Sequence, residues 1–359
     1  MDSLVGLTAS DWWYLLKQNR FAVEPSNWHK AILLTIFSAS NSFIKRKEDR
    51  IYLQEVQKQE IKKPPIFILG HWRSGTTFLH NLFVLDKQFA YPNLFQVNNP
   101  HTFLYKEPRY TKHFTKIKAE ERPMDNIKID PKSPGEEEFA LGALSLITPL
   151  LAWPFPRREE YYDRYLTFKD VSKENIDKWK SYFLLFVKKL TWRYEKQLVL
   201  KSPANTGRIK LLLDLFPDAK FIHIHRNPYA VFKSTKRLYK KAVSTAYLHR
   251  PKNGDTTTGI LKRYKDMYDC FFDERELIPK GNYVEVSFEE LEVDLVAQME
   301  KIYTALQLDG FDQFKPGLLE YVEANKKYKK NKYTPLEDSL REKVAKSWHK
   351  SFEQWGYEI

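Results

Sequence analysis

The fold of this chain is decided by the stretch Pro65-Ile66-Phe67-Ile68-Leu69-Gly70-His71-Trp72-Arg73-Ser74-Gly75-Thr76-Thr77-Phe78-Leu79. Four consecutive apolar residues, Ile66 to Leu69, are typical of a strand that is buried on both faces. Gly70 and Gly75 frame a loop in which the backbone must bend sharply or approach a ligand closely. From Phe78 onward apolar residues recur at helical spacing, so the stretch predicts a strand, a tight loop and a helix.

Such a loop predicts an anion site, because its N–H groups and the dipole of the following helix both favour phosphate. The spacing is that of a phosphate-binding P-loop, Gly-x4-Gly-x-Ser/Thr, with Thr76 in the position that usually holds a lysine. That difference argues against an ordinary ATP or GTP hydrolase. Arg73, inside the loop, is a candidate for supplying the missing positive charge.

The composition narrows the class of protein. With 359 residues, of which 42% are hydrophobic, the chain can bury a sizeable core as one large domain or two smaller ones. The 59 basic and 46 acidic residues give a net charge of +13, which suits an anionic partner such as a nucleotide, a nucleic acid or an acidic membrane surface. A lysine-rich surface alone explains the same excess.

The number of cysteines and the N-terminal sequence indicate the cellular compartment in which the protein is expected. Cys270 is the only cysteine, so an intramolecular disulfide and a cysteine-rich zinc site are excluded and a reducing compartment fits. The first ten residues lack the basic and apolar regions of a signal peptide. We therefore expect a cytoplasmic protein.

Alternating strands and helices predict the architecture. Further strands are expected at residues 198–200, 221–225 and 282–286, with helices between them. This order implies right-handed crossovers, and hence an α/β fold of three layers, P-loop-like, with a central mostly parallel sheet flanked by helices. Additional N-terminal helices precede the first strand, so we divide the chain into a helical extension over residues 1–63 and an α/β domain over residues 64–359.

The N-terminal helices leave two interpretations open. The segment from about Trp28 to Leu53 has an apolar half followed by a half of mixed charge, so it can pack on the core or lie on a membrane surface. Ser38, Ser40 and Ser42 favour core packing. No run approaches the roughly 18 apolar residues of a spanning helix, so any membrane contact is expected to be peripheral and the location cytoplasmic or membrane-associated.

Three strand ends carry cationic or hydroxyl-rich segments. They are residues 70–77, Lys201-Ser202, and residues 226–234. In an open parallel sheet, ligands bind at the carboxyl ends of the strands. A polyanion can therefore be held from several strands at once.

These segments resemble the motifs of the sulfotransferases. Residues 73–77, Arg-Ser-Gly-Thr-Thr, match the family's 5′-phosphosulfate loop, although Trp72 replaces its proline. Arg226-Asn227-Pro228 followed by Ser234 matches the second family motif, and residues 288–291, Phe-Glu-Glu-Leu, are similar to a third strand–helix junction. The motifs follow the family order over residues 64–305, so the chain is identified as resembling a bacterial-type sulfotransferase.

The resemblance implies 3′-phosphoadenosine-5′-phosphosulfate (PAPS) as co-substrate, with no metal. Negative charge grows on the leaving 5′-phosphate during transfer, so cations and N–H donors must meet it there. Arg73, Ser74, Gly75, Thr76 and Thr77 correspond to the family's donor loop. Lys201 corresponds to a lysine that assists the leaving group, and Arg226 and Ser234 correspond to the contacts of the 3′-phosphate.

The general base for the acceptor is less well defined. Pro203 occupies the position at which many cytosolic members have a histidine. A segment similar to the acidic segment of a bacterial branch contains Glu136, Glu137 and Glu138, and a partly desolvated carboxylate there can accept the hydroxyl proton. We favour Glu136. His71 and His101 are weaker candidates, because a lone histidine is more often structural.

The expected acceptor is a small molecule with a hydroxyl group. Residues 87–165 are rich in aromatic side chains, which favours an apolar pocket and hence a hydrophobic alcohol such as a sterol, a lipid or a phenol. The aromatic residues considered are Tyr91, Phe95, Phe103, Tyr105, Trp153, Phe155, Tyr161 and Tyr162. A carbohydrate that stacks on these rings is the alternative acceptor, and an ordinary aromatic core explains the same residues.

Two other functions fit the sequence less well. A P-loop kinase for a small molecule needs a phosphate-binding lysine and an acid that holds Mg²⁺, and Thr76 occupies the lysine position. A module that binds nucleic acid or anionic lipid through its charge alone is the other rival. Its basic residues are scattered and no motif that reads RNA or DNA is present, so nucleic acid is not an expected partner.

Overall fold

The computed structural model describes residues 2–114, 119–121, 128–252, 254–325 and 336–359. The strands are β1 Ile66–Leu69, β2 Phe89–Ala90, β3 Glu120–Glu121, β4 Lys128–Ile129, β5 Gln197–Lys201, β6 Lys220–His225 and β7 Tyr283–Ser287. The helices are α1 Asp2–Val5, α2 Ala9–Gln18, α3 Trp28–Lys58, α4 Thr76–Leu85, α5 Leu94–Asn98, α6 Phe103–Phe114, α7 Glu137–Ser145, α8 Glu159–Asp163, α9 Lys173–Tyr194, α10 Ile209–Leu215, α11 Pro228–Leu238, α12 Ser244–Ala246, α13 Thr257–Glu274, α14 Phe288–Val293, α15 Leu295–Ala305, α16 Phe311–Asn325, α17 Asp338–Ser347 and α18 His349–Trp355.

The chain forms two compact units, each assembled from separate segments. The first, which we call the helical unit, consists of Met1–Lys62, Tyr91–Lys196 and Leu238–Asp255. The second, which we call the sheet unit, consists of Lys63–Ala90, Gln197–Arg237 and Thr256–Ile359. The division into an extension over residues 1–63 and a domain over residues 64–359 stays a proposal.

A five-stranded sheet forms the centre of the sheet unit. Its strand order is β2-β5-β1-β6-β7, and each neighbouring pair is parallel. The sheet is flanked by helices, and all four residues of β1 are buried, as the apolar sequence of this strand predicts. The predicted α/β fold with a mostly parallel sheet is therefore confirmed.

The two faces of β1 pack against different partners because side chains alternate along a strand. Ile66 and Ile68 belong to a hydrophobic cluster with side chains of α4, α15 and α16. Phe67 points to the other face, where its ring lies 5.9 Å from that of Phe216 and 5.6 Å from that of Phe221. The first strand is therefore anchored on both faces, which holds the loop after it in place.

The helical unit is built around α3 and α9. Trp179, Phe183 and Phe186 of α9 are fully buried. Lys189 of α9 donates a hydrogen bond to Glu48 of α3, and both residues are buried. This ion pair ties the N-terminal helix α3 to α9 inside the helical unit.

Several element boundaries differ from the sequence prediction for local reasons. The predicted helix over residues 288–306 is two helices, because Asp294 leaves helical geometry (φ −138°) and its side chain accepts a hydrogen bond from the N–H of Ala297 to start α15. The edge strand β2 has two residues in a stretch without periodicity, so no sequence signal marked it. Within the described ranges, no helix is long and apolar enough to cross a membrane.

Candidate active site

The loop between β1 and α4 depends on three residues in the left-handed region of backbone space. Gly70 has φ +139°, Arg73 has φ +76° and Gly75 has φ +106°. A Cβ atom on Gly70 would lie 2.4 Å from the carbonyl oxygen of Ile224, and one on Gly75 would lie 2.3 Å from the Phe288 ring. Both glycines are therefore required by close packing as well as by φ, and the strain at Arg73 marks this loop as a functional candidate.

Hydrogen bonds hold the loop in this conformation. The N–H of Gly70 donates to Oγ1 of Thr206 at 2.8 Å, and the N–H of His71 donates to the hydroxyl of Tyr268 at 3.2 Å. Ser74 is fully buried, and its hydroxyl donates to the carbonyl of His71 at 2.8 Å. The side chain of Ser74 therefore supports the loop, while Thr76 and Thr77 open the first turn of α4.

Side chains from all three predicted strand ends meet around this loop. Nε of Arg73 donates to Oγ of Ser234 at 2.9 Å, and the Arg226 guanidinium reaches the carbonyl of Arg73 at 3.5 Å. Nζ of Lys201 lies 3.3 Å from Oγ1 of Thr77. Cations and hydroxyl groups from the ends of β1, β5 and β6 thus converge, and this combination suits a polyanion with more than one phosphate or sulfate group.

Lys201 is the buried member of this group of cations, whereas Arg73 and Arg226 are half-buried. Lys201 is 2% exposed, and the guanidinium of Arg226 stacks on the Phe288 ring at 4.1 Å from its centroid. Burial lowers the pKa of His80, and the positive charge of Lys201 lowers it further. His80 is therefore neutral, so the positive charge here comes from the lysine and the arginines.

Neither candidate histidine is well suited to accept a proton. Burial lowers the pKa of His71 to about 3, and its Nδ1 lies 2.7 Å from the carbonyl oxygen of Trp72. Burial also lowers the pKa of His101 to about 3, and its Nε2 lies 3.3 Å from the carbonyl oxygen of Ala143. Both rings are therefore neutral near pH 7 and take up a second proton only at acidic pH.

The three candidate carboxylates open helix α7 in the helical unit. Glu136 is the N-cap residue and is half-buried, whereas Glu137 and Glu138 are buried in the first turn. Thr148 donates a hydrogen bond to Oε1 of Glu138 at 2.7 Å, which gives this carboxylate a structural task. Of the three, Glu136 has the most accessible side chain.

Comparison with known proteins decides the family. A sequence model described as the sulfotransferase family matches residues 64–313, which span the loop and all three strand ends. The chain belongs to the sulfotransferase family. It is 35% identical over 354 residues to a protein of Mycobacterium bovis (strain ATCC BAA-935 / AF2122/97) named omega-hydroxy-beta-dihydromenaquinone-9 sulfotransferase Stf3, covering 99% of this chain and 91% of that one. The Stf3 of Mycobacterium tuberculosis (strain CDC 1551 / Oshkosh) gives the same values.

Solved structures support the fold of this sulfotransferase. The sulfotransferase STF1 of Mycobacterium tuberculosis H37Rv has a TM-score of 0.68 at 16% identity, covering 97% of this chain and 93% of that one. STF9 of Mycobacterium avium has a TM-score of 0.67 at 16% identity, covering 98% and 97%. The P-loop-like fold predicted from the sequence is thus shared with these proteins, and the family implies PAPS as the co-substrate.

A network at the end of β6 supports the arginine motif of the sulfotransferase. Oε1 of Glu289 accepts a hydrogen bond from the N–H of Asn227 at 3.0 Å, and its Oε2 accepts one from the hydroxyl of Tyr357 at 2.8 Å. That hydroxyl also lies 2.9 Å from Nδ1 of His225, whose ring stacks on Trp355 at 4.8 Å. The third motif, which contains Glu289, therefore braces the backbone next to Arg226.

The sequence did not predict the part played by the C-terminal residues in this network. Trp355 and Tyr357 carry no motif, and the pairing with His225 spans 132 residues. The one available signal was two aromatic residues close to the end of a predicted helix. Long-range contacts of this kind are set by tertiary packing and leave no local pattern.

The aromatic residues of the predicted acceptor region divide into two groups. Phe103, Phe155 and Tyr162 are fully buried in the helical unit. Tyr162 accepts a hydrogen bond from Asn19 at 2.8 Å, and Phe103 packs on Phe186. The half-buried members, which remain candidates for an acceptor pocket, are Tyr91, Phe95, Tyr105, Trp153 and Tyr161.

Proposed function

We propose that this sulfotransferase moves a sulfuryl group from PAPS to the hydroxyl of a hydrophobic alcohol, with a lipid alcohol as the best-supported class. The observation that carries the acceptor class is the 35% identity, over 99% of the chain, to a sulfotransferase whose name specifies an omega-hydroxylated menaquinone, a lipid. The half-buried aromatic side chains of residues 91–161 are consistent with an apolar acceptor. A carbohydrate acceptor is the alternative.

The loop and strand ends suit the donor in separate parts. We assign the 5′-phosphosulfate to the N–H groups of residues 73–77 and to the side chains of Arg73, Thr76 and Thr77, the last two of which lie in the first turn of α4. We assign the 3′-phosphate to Arg226 and Ser234. The hydrogen bond between Arg73 and Ser234 supports this assignment, because it brings the two phosphate motifs together.

The reaction combines an attack on sulfur, the cleavage of a bond and the removal of a proton. The acceptor oxygen attacks the sulfur in line, the bond from sulfur to the bridging phosphate oxygen breaks, and the acceptor proton must leave. We assign Lys201 and Arg73 to the negative charge that grows on the leaving phosphate. We assign Glu136 as the general base that takes the proton, with Glu137 and Glu138 as alternatives. We expect no metal to be needed.

The location is also a proposal. We propose a cytoplasmic enzyme that contacts a membrane peripherally through its N-terminal helices. Such contact fits an acceptor that resides in a bilayer. No nucleic acid is involved in this function.

Transfer of labelled sulfate to a panel of acceptors tests the function. Long-chain and isoprenoid alcohols, sterols, phenols and sugars are incubated with labelled PAPS, and products are separated by chromatography. We expect hydrophobic alcohols to be the preferred acceptors. Preference for sugars would replace the acceptor class, and absence of transfer to every class would contradict the function.

The base is tested with Glu136→Gln on the preferred acceptor. We expect kcat to fall by about 10²–10⁴-fold with the KM for PAPS unchanged, because the glutamine keeps the shape but cannot accept the proton. The exposed residue Glu160 of the same unit serves as control, with Glu160→Gln expected to match the native enzyme. A native kcat in Glu136→Gln would transfer the role to another group.

A further inference from the structure

An apolar surface is concentrated on the N-terminal helices. Ten of the fifteen exposed large hydrophobic side chains in the described ranges lie between residues 13 and 51. We define the docking face as nine of them: Trp13, Tyr14, Phe21, Trp28, Ile32, Leu33, Ile36, Phe37 and Phe43. Scattered exposed apolar side chains need no explanation, but such a concentration is typical of an interaction site.

The exposed side of α3 that belongs to the docking face is distinct from the side of this helix that packs within the helical unit. Helix α3 buries Leu34, Ser38, Asn41, Glu48 and Val56, which follow one another at helical spacing on one side. Ile32, Ile36 and Phe43 lie on the opposite side and are 61%, 58% and 60% exposed. The inner side is already packed within the helical unit, so the outer side is available for a second partner.

Helix α2 is held against α3. Nε1 of Trp12 donates to Oγ1 of Thr35 at 2.9 Å, and the N–H of Ala9 donates to Oγ of Ser42 at 2.8 Å. Trp13, next to the buried Trp12, remains exposed, and its ring packs edge-on against that of Phe21. Two helices therefore contribute exposed aromatic side chains, two of them tryptophans.

Positive charge borders this apolar surface. The sequence has no acidic residue between Glu24 and Glu48, and Glu48 is buried against Lys189. Arg46, Lys47 and Arg50 are exposed on α3 directly after the apolar stretch. The ammonium group of Lys47 lies 4.5 Å from the centroid of the Phe43 ring, so charge and apolar surface are continuous.

We propose that the docking face binds the surface of a bilayer that contains anionic lipid, with α3 lying in the plane of the interface. Apolar side chains enter the acyl boundary, tryptophan and tyrosine suit the headgroup level, and the lysine and arginine side chains meet lipid phosphates. The stretch from Trp28 to Phe43 is about 22 Å long at 1.5 Å per residue. The inference deepens the proposed function, on which it rests for the biological role of the lipid.

A second copy of the chain suits the docking face less well. A two-fold contact places the same patch on both partners. Arg46 and Lys47 border the docking face, but no exposed carboxylate lies between residues 25 and 47 with which a second copy could pair them. Anionic lipid provides the missing negative charge, which is why a bilayer is favoured.

Co-sedimentation with vesicles tests the docking face without donor or acceptor. The full chain is mixed with vesicles of phosphatidylcholine, alone or with phosphatidylglycerol, at low and high salt. We expect binding to the anionic vesicles that weakens as salt is raised. Equally poor binding to both kinds of vesicle would overturn the proposal.

Variants locate the binding surface. Ile32→Gln combined with Ile36→Gln is expected to lower the partition coefficient by about tenfold or more, because both side chains lose their favourable transfer into the bilayer. Leu277→Gln with Leu319→Gln is the matched control, since these residues are 52% and 51% exposed elsewhere. Thermal unfolding of each variant must match that of the native chain. Native binding by the Ile32 and Ile36 variant would overturn the docking face.

Two further readouts separate the competing outcomes. One outcome is a concentration-dependent dimer in vesicle-free solution that dissociates in the Ile32→Gln, Ile36→Gln variant. It would show that a second copy binds the docking face and would overturn the proposal of a bilayer. If the chain sulfates a short water-soluble alcohol but does not bind vesicles, the proposal of membrane binding by the docking face is overturned and the proposed sulfotransferase activity is not. Vesicle binding without sulfuryl transfer to any acceptor would support the docking face and contradict the proposed function.

Discussion

Two buried lysines of this protein have different surroundings. Lys189 in the helical unit is 7% exposed, and Lys201 in the sheet unit is 2% exposed. Lys189 donates to the carboxylate of Glu48 and to the carbonyl of Pro100. Lys201 stands at the end of β5, with its ammonium group 3.3 Å from the Thr77 hydroxyl in the phosphate-type loop.

The two lysines differ in the groups that surround their charges. Burial raises the pKa of Glu48 and lowers that of Lys189, and attraction between the two groups opposes both changes. The charges of Lys189 and Glu48 therefore compensate each other within the fold. Lys201 instead lies near the hydroxyl side chains and arginines that we assign to the donor, so its charge is expected to matter most when an anion is bound.

Removing Lys189 is expected to have the largest effect on folding. Lys189→Met leaves the carboxylate of Glu48 buried without its cation, which typically costs about 3–5 kcal/mol of unfolding free energy. Urea unfolding at neutral pH measures this loss. The protein that remains folded should keep its native kcat.

Two variants sharpen that result. Lys188→Met changes the neighbouring lysine on α9, whose ammonium group donates to the carbonyl of Gln57, and should shift stability by no more than about 0.5 kcal/mol. Glu48→Gln added to Lys189→Met should recover part of the loss, because no unpaired charge remains. If Lys189→Met unfolds like the native chain, the pair is not a structural one.

Removing Lys201 is expected to affect catalysis more strongly than folding. Lys201→Met keeps the volume and removes the charge that we assign to the leaving phosphate, so kcat/KM should fall by about 10²–10³-fold. The melting temperature without donor should stay within a few degrees of the native value. Both quantities are measured on the same preparation.

The exposed Lys210 provides the control for this variant. Lys210→Met should match the native enzyme in kcat/KM and in melting temperature. Loss of stability on the scale of Lys189→Met, with native kcat/KM, would show that Lys201 is the structural lysine and would remove the distinction between the two.

The sequence indicated the position of one of these lysines and not of the other, for a physical reason. Lys201 follows a short apolar strand, and strand ends of parallel sheets lie at one edge, so a local pattern and a general rule were sufficient to place it beside the loop. Its role in catalysis stays a prediction. Lys189 lies inside a helix among other basic residues, and its partner is 141 residues away. No local pattern distinguishes a buried lysine in such a helix from its solvated neighbours.

The same contrast runs through the rest of the molecule. The central strands and the loop from Gly70 to Thr77 were predicted within a residue or two, because buried strands and glycine-framed turns have strong local signals. The outer side of α3 was left between core and membrane, since Ile32 and Ile36 are compatible with both until packing shows which side is filled. The break at Asp294 depended on one capping side chain.

His225 is a third buried titratable group, and unlike the two lysines it is held in its neutral form. Burial lowers the pKa of His225 to about 4, with the neighbouring His223 contributing. The ordinary pKa of histidine is about 6.5, so the unfolded chain binds more protons than the folded chain between these two values. Stability should therefore decrease as pH falls from about 6.5 to about 4.

The variant His225→Phe tests this neutral group, and its effect should be the smallest of the three. A phenyl ring can keep the stacking on Trp355, 4.8 Å away, but cannot titrate. Between pH 6.5 and pH 4 the native chain should lose up to about 1.4 kcal/mol more per pH unit than the variant, the value of one proton. Urea unfolding at a series of pH values measures the two slopes. The variant also loses the contact with the Tyr357 hydroxyl, which lowers its stability at every pH and leaves the slope unaffected. Equal slopes would mean that His225 takes up its proton in the folded state as readily as in the unfolded chain.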